Sequence, residues 1–331
     1  MKLLLETLKA GTGYLEKRGI EDARLNMEHL LAHVLRCRRL ELYMRFNEAM
    51  HEADLETLRG LIKRRGEGEP LQHLLGTVEF CGAELVCDHR ALVPRPETER
   101  LVELLIQKFK TQPPASVLDV GTGSGCIGLS LAKAWHGKLP LLSGTERERD
   151  GWSDAIEGNP AKGWGEGAVT ESSQDSESQA PRVARSNFGF TLIDISEDAL
   201  ELARLNASRI GLNGTSIRLL RSDLFEKVDG EFDLIVANLP YIPAGEIPTL
   251  RPEVRRDPVL ALDGGVVGTE LIARFVTDCQ TRLASGGWIA LEIGHDQAPA
   301  VAGFCEAAGM TDVKAEKDLA GIDRFVLARR A

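Results

Sequence analysis

The run VLDVGTGSGCIGLSLA, residues 117 to 132, constrains the fold more than any other stretch. Val117, Leu118 and Val120 have the character of a buried strand, glycines at 121, 123 and 125 interrupt it, and a helix opens at about Cys126. Glycine is required at such a turn because a Cβ would collide with the turn itself or with a ligand held close to the backbone. The spacing is G-x-G-x-G, not the G-x-G-x-x-G of dinucleotide sites, and Asp119 stands just ahead of it. A carboxylate in that position repels a pyrophosphate and pairs with an amino group.

Strand-like and helical patterns alternate from Ser116 onward. Strands are predicted at 116–120, 188–194, 216–221, 232–237 and 286–293, with a closing pair at 311–316 and 323–329. Helices fall between them, for example over 197–210 and 268–284. This alternation predicts an α/β fold with a mostly parallel sheet covered on both faces. Residues 1–75 instead carry apolar stripes at helical spacing: Leu3, Leu4, Leu8 and Leu15; Leu25, Leu30, Leu31, Val34 and Leu35; Leu55, Leu58, Leu61 and Ile62. They read as a small helical domain. Residues 76–93 read as a β-hairpin linker turning at Gly82-Ala83, and residues 94–331 as the catalytic domain. Pro96 suits the first turn of a helix, with Glu97 and Glu99 at its positive end. One segment departs from the pattern. Residues 137–187 are rich in Gly, Ser and acid without periodicity, and are expected to form a disordered insert opposite the ligand crevice, Trp152 and Trp164 being its candidates for docking.

A formal charge of -10 and a pI near 5.4 argue against a partner held through phosphates, so no direct nucleic acid contact is expected. The six cysteines form no C-x-x-C pair and mostly lie in apolar runs, which predicts reduced core thiols and no metal. No segment approaches the roughly 20 apolar residues of a membrane span. The apolar run after Met1 is short for a signal sequence, and a cytoplasmic chain is expected.

Acids recur at the predicted strand ends: Asp119, then Asp194, then Asp223. An acid at the second strand tip is where this fold holds a ribose diol. Taken alone, Asp194 also reads as a helix N-cap and Asp223 as a turn residue. Together with the glycine turn they describe a pocket for an amino acid end, a ribose and an adenine, that is, for S-adenosyl-L-methionine. The fourth strand ends FDLIVANLPYIP, so Asn238 should emerge beside the glycine turn. An amide or adenine NH2 is a weak nucleophile because its lone pair is delocalised. Methylating one requires oxygens that accept its two hydrogens and hold it in line, which the Asn238 side chain and the next carbonyl can supply, while Tyr241 offers a face for a planar group.

These motifs resemble the N5-glutamine methyltransferases of peptide-chain release factors, the HemK/PrmC type. The resemblance rests on GTVEFCG, LVPRPETERLVE, VLDVGTGSGCIGL, IDISEDALELARLNA, SDLF, ANLPYIP, RRDPVLALDGGVVGTE, LEIGHDQ and DLAGIDRFVLARR. It implies a seven-stranded class I S-adenosylmethionine-dependent methyltransferase (Rossmann-like) domain whose last strand is antiparallel, behind the small helical domain, which would bind the protein substrate. It implies that the substrate is the glutamine of a release factor's Gly-Gly-Gln loop, and a monomer is expected. By position, Gly121, Thr122, Gly123, Ser124, Gly125, Asp194, Asp223 and Leu224 would line the cofactor, Asn238 would face both ligands, and Asn238, Leu239, Pro240 and Tyr241 would hold the glutamine. The family reads Asn-Pro-Pro-Tyr where this chain has Leu239, a change that frees φ and adds an N–H. Asn-Leu-Pro-Tyr is also similar to the motif of ribosomal RNA adenine dimethyltransferases, so an adenine-N6 methyltransferase of RNA or DNA is the alternative enzyme. A non-catalytic adaptor on the same fold is the alternative outside catalysis.

Overall fold

The computed structural model describes residues 2–135, 189–212 and 217–331. The stretch expected to be a disordered insert, with Trp152 and Trp164, lies outside them.

Helices α1 (Leu4–Glu16), α2 (Ala23–Leu35), α3 (Glu52–Gly66) and α4 (Leu71–Leu75) pack around a core of their own built on Leu4, Leu8, Leu15, Met27, Leu30, Leu31, Leu55 and Leu58. Two leucines of the expected stripes, Leu3 and Leu25, are instead exposed, and Met27 is fully buried. The inward face of α2 is Ala23, Asn26, Met27, Leu30 and Leu31, a helical series that passes Leu25 by. The expected hairpin is β1 (Thr77–Phe80) and β2 (Ala83–Val86), whose Phe80, Ala83 and Leu85 pack into one core with Leu101, Val102 and Val117.

Helix α5 (Pro96–Lys108) begins with Pro96 in its first turn and buries Thr98, Leu101, Val102 and Leu105, the i, i+3, i+4, i+7 face. Beyond it come β3 (Val117–Val120), α6 (Cys126–Trp135), β4 (Phe190–Asp194), α7 (Glu197–Arg209), β5 (Ile217–Arg221), β6 (Phe232–Asn238), α8 (Glu270–Cys279), β7 (Leu283–Glu292), α9 (Ala298–Ala307), β8 (Thr311–Lys317) and β9 (Asp323–Arg329). One seven-stranded sheet runs β5-β4-β3-β6-β7-β9-β8, with β9 antiparallel to both neighbours. Apolar clusters cover both faces, which is why β3 is buried at all four positions and shows no alternation.

The expected helix over 268–284 is shorter and the strand after it starts earlier. The Arg282 carbonyl accepts the Phe232 N–H at 2.8 Å, so the sheet claims the backbone where the helix would have continued. Strands β3 and β6 are parallel neighbours, Val120 opposite Ala237, with chain crossing to either side of them. Ligands of open α/β sheets bind at such a switch point, at the carboxyl ends of the strands.

Candidate active site

The glycine turn closes over the end of β3. Gly121 has φ 69, and a Cβ there would sit 3.1 Å from Leu239 Cδ2, so conformation and space both select glycine. Leu239 is buried with its side chain against this turn, which gives the leucine standing in the family's proline position a packing role. Asp119 does not meet the crevice as expected. Its carboxylate is buried beneath the turn, where Oδ2 accepts from Thr122 Oγ1 at 2.6 Å and from the Gly128 N–H at 2.9 Å. The orphan N–H at the start of α6 needs an acceptor, and the carboxylate tip of β3 is the nearest one. Burial pushes its pKa up to about 6. Gly125 likewise lies under the turn, against Leu129 and Ala203.

The remaining expected cofactor residues converge. Gly121, Thr122, Gly123, Ser124, Asp194, Asp223 and Leu224 line one cavity of about 620 Å³, and Asn238, Leu239 and Pro240 line it beside the turn. Asp194 Oδ2 accepts from the Gly123 N–H and Oδ1 from the Ser196 N–H, both at 2.9 Å. The N-cap of α7 is Ser196, whose hydroxyl accepts from the Ala199 N–H, so Asp194 is not the cap. Burial raises the Asp194 pKa against those two donors, and each oxygen keeps lone pairs for a diol. Asp223 sits at the rim in a half-exposed ion pair with Arg274 at 3.1 Å, a contact cheap to rearrange.

Tyr241 faces a second, smaller cavity of about 250 Å³ that shares Asn238, Leu239, Leu92, Arg95 and Ala261 with the first. Glu97, Arg95, Glu292 and Arg324 also line it. Burial pushes the Tyr241 pKa up to about 12. Asn238 and Leu239, together with Leu92, Arg95 and Ala261, thus form the partition between the two chambers. A neighbouring segment supports it: Ile242 N–H donates to Leu262 O at 3.1 Å and Gly264 N–H to Ile242 O at 2.9 Å. A Cβ on Gly264 would come within 2.8 Å of Pro240 O, which accounts for glycine in ALDGG. Gln297 Nε2 closes the other side, donating to Tyr241 O at 2.9 Å.

Behind the partition stand two residues that motif reading left without a role. Thr98 Oγ1 accepts from Asn238 Nδ2 at 3.2 Å and donates to Glu292 Oε2 at 2.7 Å. Glu292 pairs with Asn238 across β6 and β7, and burial pushes its pKa up to about 7, partly opposed by the Thr98 hydrogen bond. The signal was the one used for Asp194: an acid closing the apolar strand Trp288–Leu291. Arg95 and Asp257 were also missed. Their 2.6 Å pair, with Asp257 buried and its pKa pushed up to about 6, ties the loop before α5 to the loop after Tyr241.

This strand order, with a glycine turn and acids at the carboxyl ends of adjacent parallel strands, makes the catalytic domain a class I, Rossmann-like methyltransferase. The same fold occurs in the hMettl16 catalytic domain solved with a MAT2A 3'UTR hairpin, at TM-score 0.50 and 11% identity, covering 84% of this chain and 82% of that one. The PrmC N-terminal domain family matches residues 6–76. Release factor glutamine methyltransferases of Geobacter sulfurreducens and Rhodopirellula baltica are 35% and 33% identical to this chain, over 96% and 99% of it and 93% and 96% of their own lengths. The chain belongs to the release factor glutamine methyltransferase family. Among the described residues no helix is long and apolar enough to cross a membrane.

Proposed function

We propose that this chain methylates the side-chain amide nitrogen of the glutamine in the Gly-Gly-Gln loop of peptide-chain release factors, using S-adenosyl-L-methionine. The observation that carries this reading is the partition: the Asn238 carboxamide stands between a chamber lined by the glycine turn and Asp194 and a chamber lined by Tyr241. When bound, the cofactor supplies an electrophilic sulfonium methyl group. The turn would hold its amino acid end, Asp194 its ribose hydroxyls, and Asp223 with Leu224 its adenine.

The smaller chamber admits a planar carboxamide, with the Tyr241 ring as one wall. Asn238 Nδ2 is committed to Thr98, which leaves Oδ1 for the substrate. Asn238 Oδ1 and the Leu239 carbonyl accept the two hydrogens of the substrate NH2 and stabilise charge developing on its nitrogen. The methylated nitrogen then releases one of those hydrogens to solvent as a proton. The helical domain grips the release factor away from the glutamine, and the reaction takes place in the cytoplasm with the enzyme as a monomer.

The test is mass spectrometry of a release factor incubated with the enzyme and cofactor. The Gly-Gly-Gln peptide should gain the mass of one methylene while naked RNA gains nothing. An unmodified peptide would refute the reading.

A further inference from the structure

With Glu292 ionised, the Thr98 hydroxyl has one proton to give, and it goes to Glu292 Oε2 at 2.7 Å. Toward Asn238, 3.2 Å away, it can therefore only accept, and the edge of the carboxamide that faces it must be the NH2 edge. An Asn side chain offers a donor edge and an acceptor edge of nearly equal shape, so packing alone separates the two orientations poorly. Here a carboxylate sets the polarity of a hydroxyl, and the hydroxyl sets the polarity of the amide. We infer that Thr98 and Glu292 are positioning residues, holding the Asn238 carboxamide with its oxygen toward the methyl acceptor. This rests on the glutamine reading above, in which that oxygen must accept a hydrogen.

The arrangement is built rather than incidental. Thr98 and Glu292 are each 2% exposed, so water does not compete for either bond. They reach Asn238 from two elements: Thr98 from the first turn of α5, behind Pro96, and Glu292 from the tip of β7, in register with Asn238. Glu97, Arg95, Arg324 and Tyr241 surround Glu292 on the chamber side, and the Asn238 side chain also interacts with Glu292, so the amide nitrogen meets acceptors from both Thr98 and the carboxylate. If Nδ2 turned toward the acceptor, donor would face donor and the NH2 of the substrate would be repelled.

Thr98→Val keeps the shape of the side chain and deletes the relay. At saturating cofactor and release factor it should lower kcat by about 10-fold or more, as expected for loss of orientation, with KM for the release factor and cofactor affinity by calorimetry within about 2-fold of wild type. Thr98→Ser, which keeps the hydroxyl, should recover most of that loss. Glu292→Gln, whose amide can present either polarity to Thr98, should also lower kcat, and it serves if the valine variant folds poorly. Wild-type kcat in the valine variant, or a serine variant as slow as valine, would overturn the assignment. A second arm needs no substrate: in asparagine-labelled enzyme, the Asn238 NH2 signals should be protected from water exchange in wild type and lose that protection in Thr98→Val. Equal exchange in both would overturn it as well. Failure of the wild type to modify any release factor would count against the glutamine reading, and the exchange measurement would still decide the positioning role.

Discussion

Asn238 ends a strand whose four preceding residues are fully buried, and it carries the polar group at the strand's carboxyl end. Its Oδ1 is asked to stabilise charge that develops only during transfer. Asn238→Ala should therefore lower turnover by about 100-fold or more while cofactor affinity, measured by calorimetry, changes little. Near-normal turnover would remove the assigned role. Glu292 carries a second consequence at this scale. Its carboxyl, ordinarily at 4.5, is pushed up to about 7 in the folded chain, chiefly by burial. Between those values the folded state holds a proton that the unfolded state has lost, so the contribution of Glu292 to stability is full below pH 4.5 and is lost as pH rises through 7. Glu292→Gln has no such proton. The difference in Tm between variant and wild type should move in the variant's favour from pH 5 to pH 8, and parallel pH dependences would contradict the burial argument.

At the scale of elements, the crevice is made where secondary structure stops. The glycine turn ends β3 and starts α6, NLPY ends β6, Glu292 ends β7, and the first turn of α5 is applied from outside the sheet. Each carries orphan backbone or side-chain groups that the neighbouring end satisfies. The turn is the least tolerant of these. Gly121→Ala would place a Cβ in left-handed backbone conformation and against Leu239, at a strain of about 1–2 kcal/mol. If the strain is relieved by moving the turn, cofactor binding measured by calorimetry should weaken by about 10-fold, at nearly unchanged stability. Unaltered binding would mean that the turn does not touch the cofactor.

In the molecule as a whole, the helical domain is joined to the catalytic domain through Arg65. Its guanidinium is buried, donates from Nε to Asn26 Oδ1 at 2.7 Å within the helical domain, and pairs through Nη2 with Glu253 at 2.9 Å across the boundary. Arg251 and Glu21 form a second, exposed pair nearby. A buried guanidinium with three acceptors is a different case from a surface pair. Arg65→Ala should cost about 2–3 kcal/mol in denaturant unfolding, because Asn26 and Glu253 lose their donor. Cofactor binding should be preserved, since the cavity lies wholly between catalytic-domain elements and the loop before α5.

The periodicities and the turn chemistry were legible because they are local: apolar spacing, glycine at left-handed positions, proline at a helix start and acids at strand tips depend on residues close in the chain. From these followed the α/β class, the strand succession and the convergence of Gly121, Asp194, Asp223 and Asn238 on one crevice. The inward rotation of Asp119, the early end of α8, the shelf under NLPY formed by Gly264, and the Thr98–Glu292 support of Asn238 required the assembled structure. Thr98 and Glu292 are 194 residues apart, and Thr98 and Asn238 140. Their hydrogen bonds exist only because the sheet sets β6 beside β7 and packing lays α5 against them. No pattern within a sequence window encodes a contact whose partners are brought together by strand order.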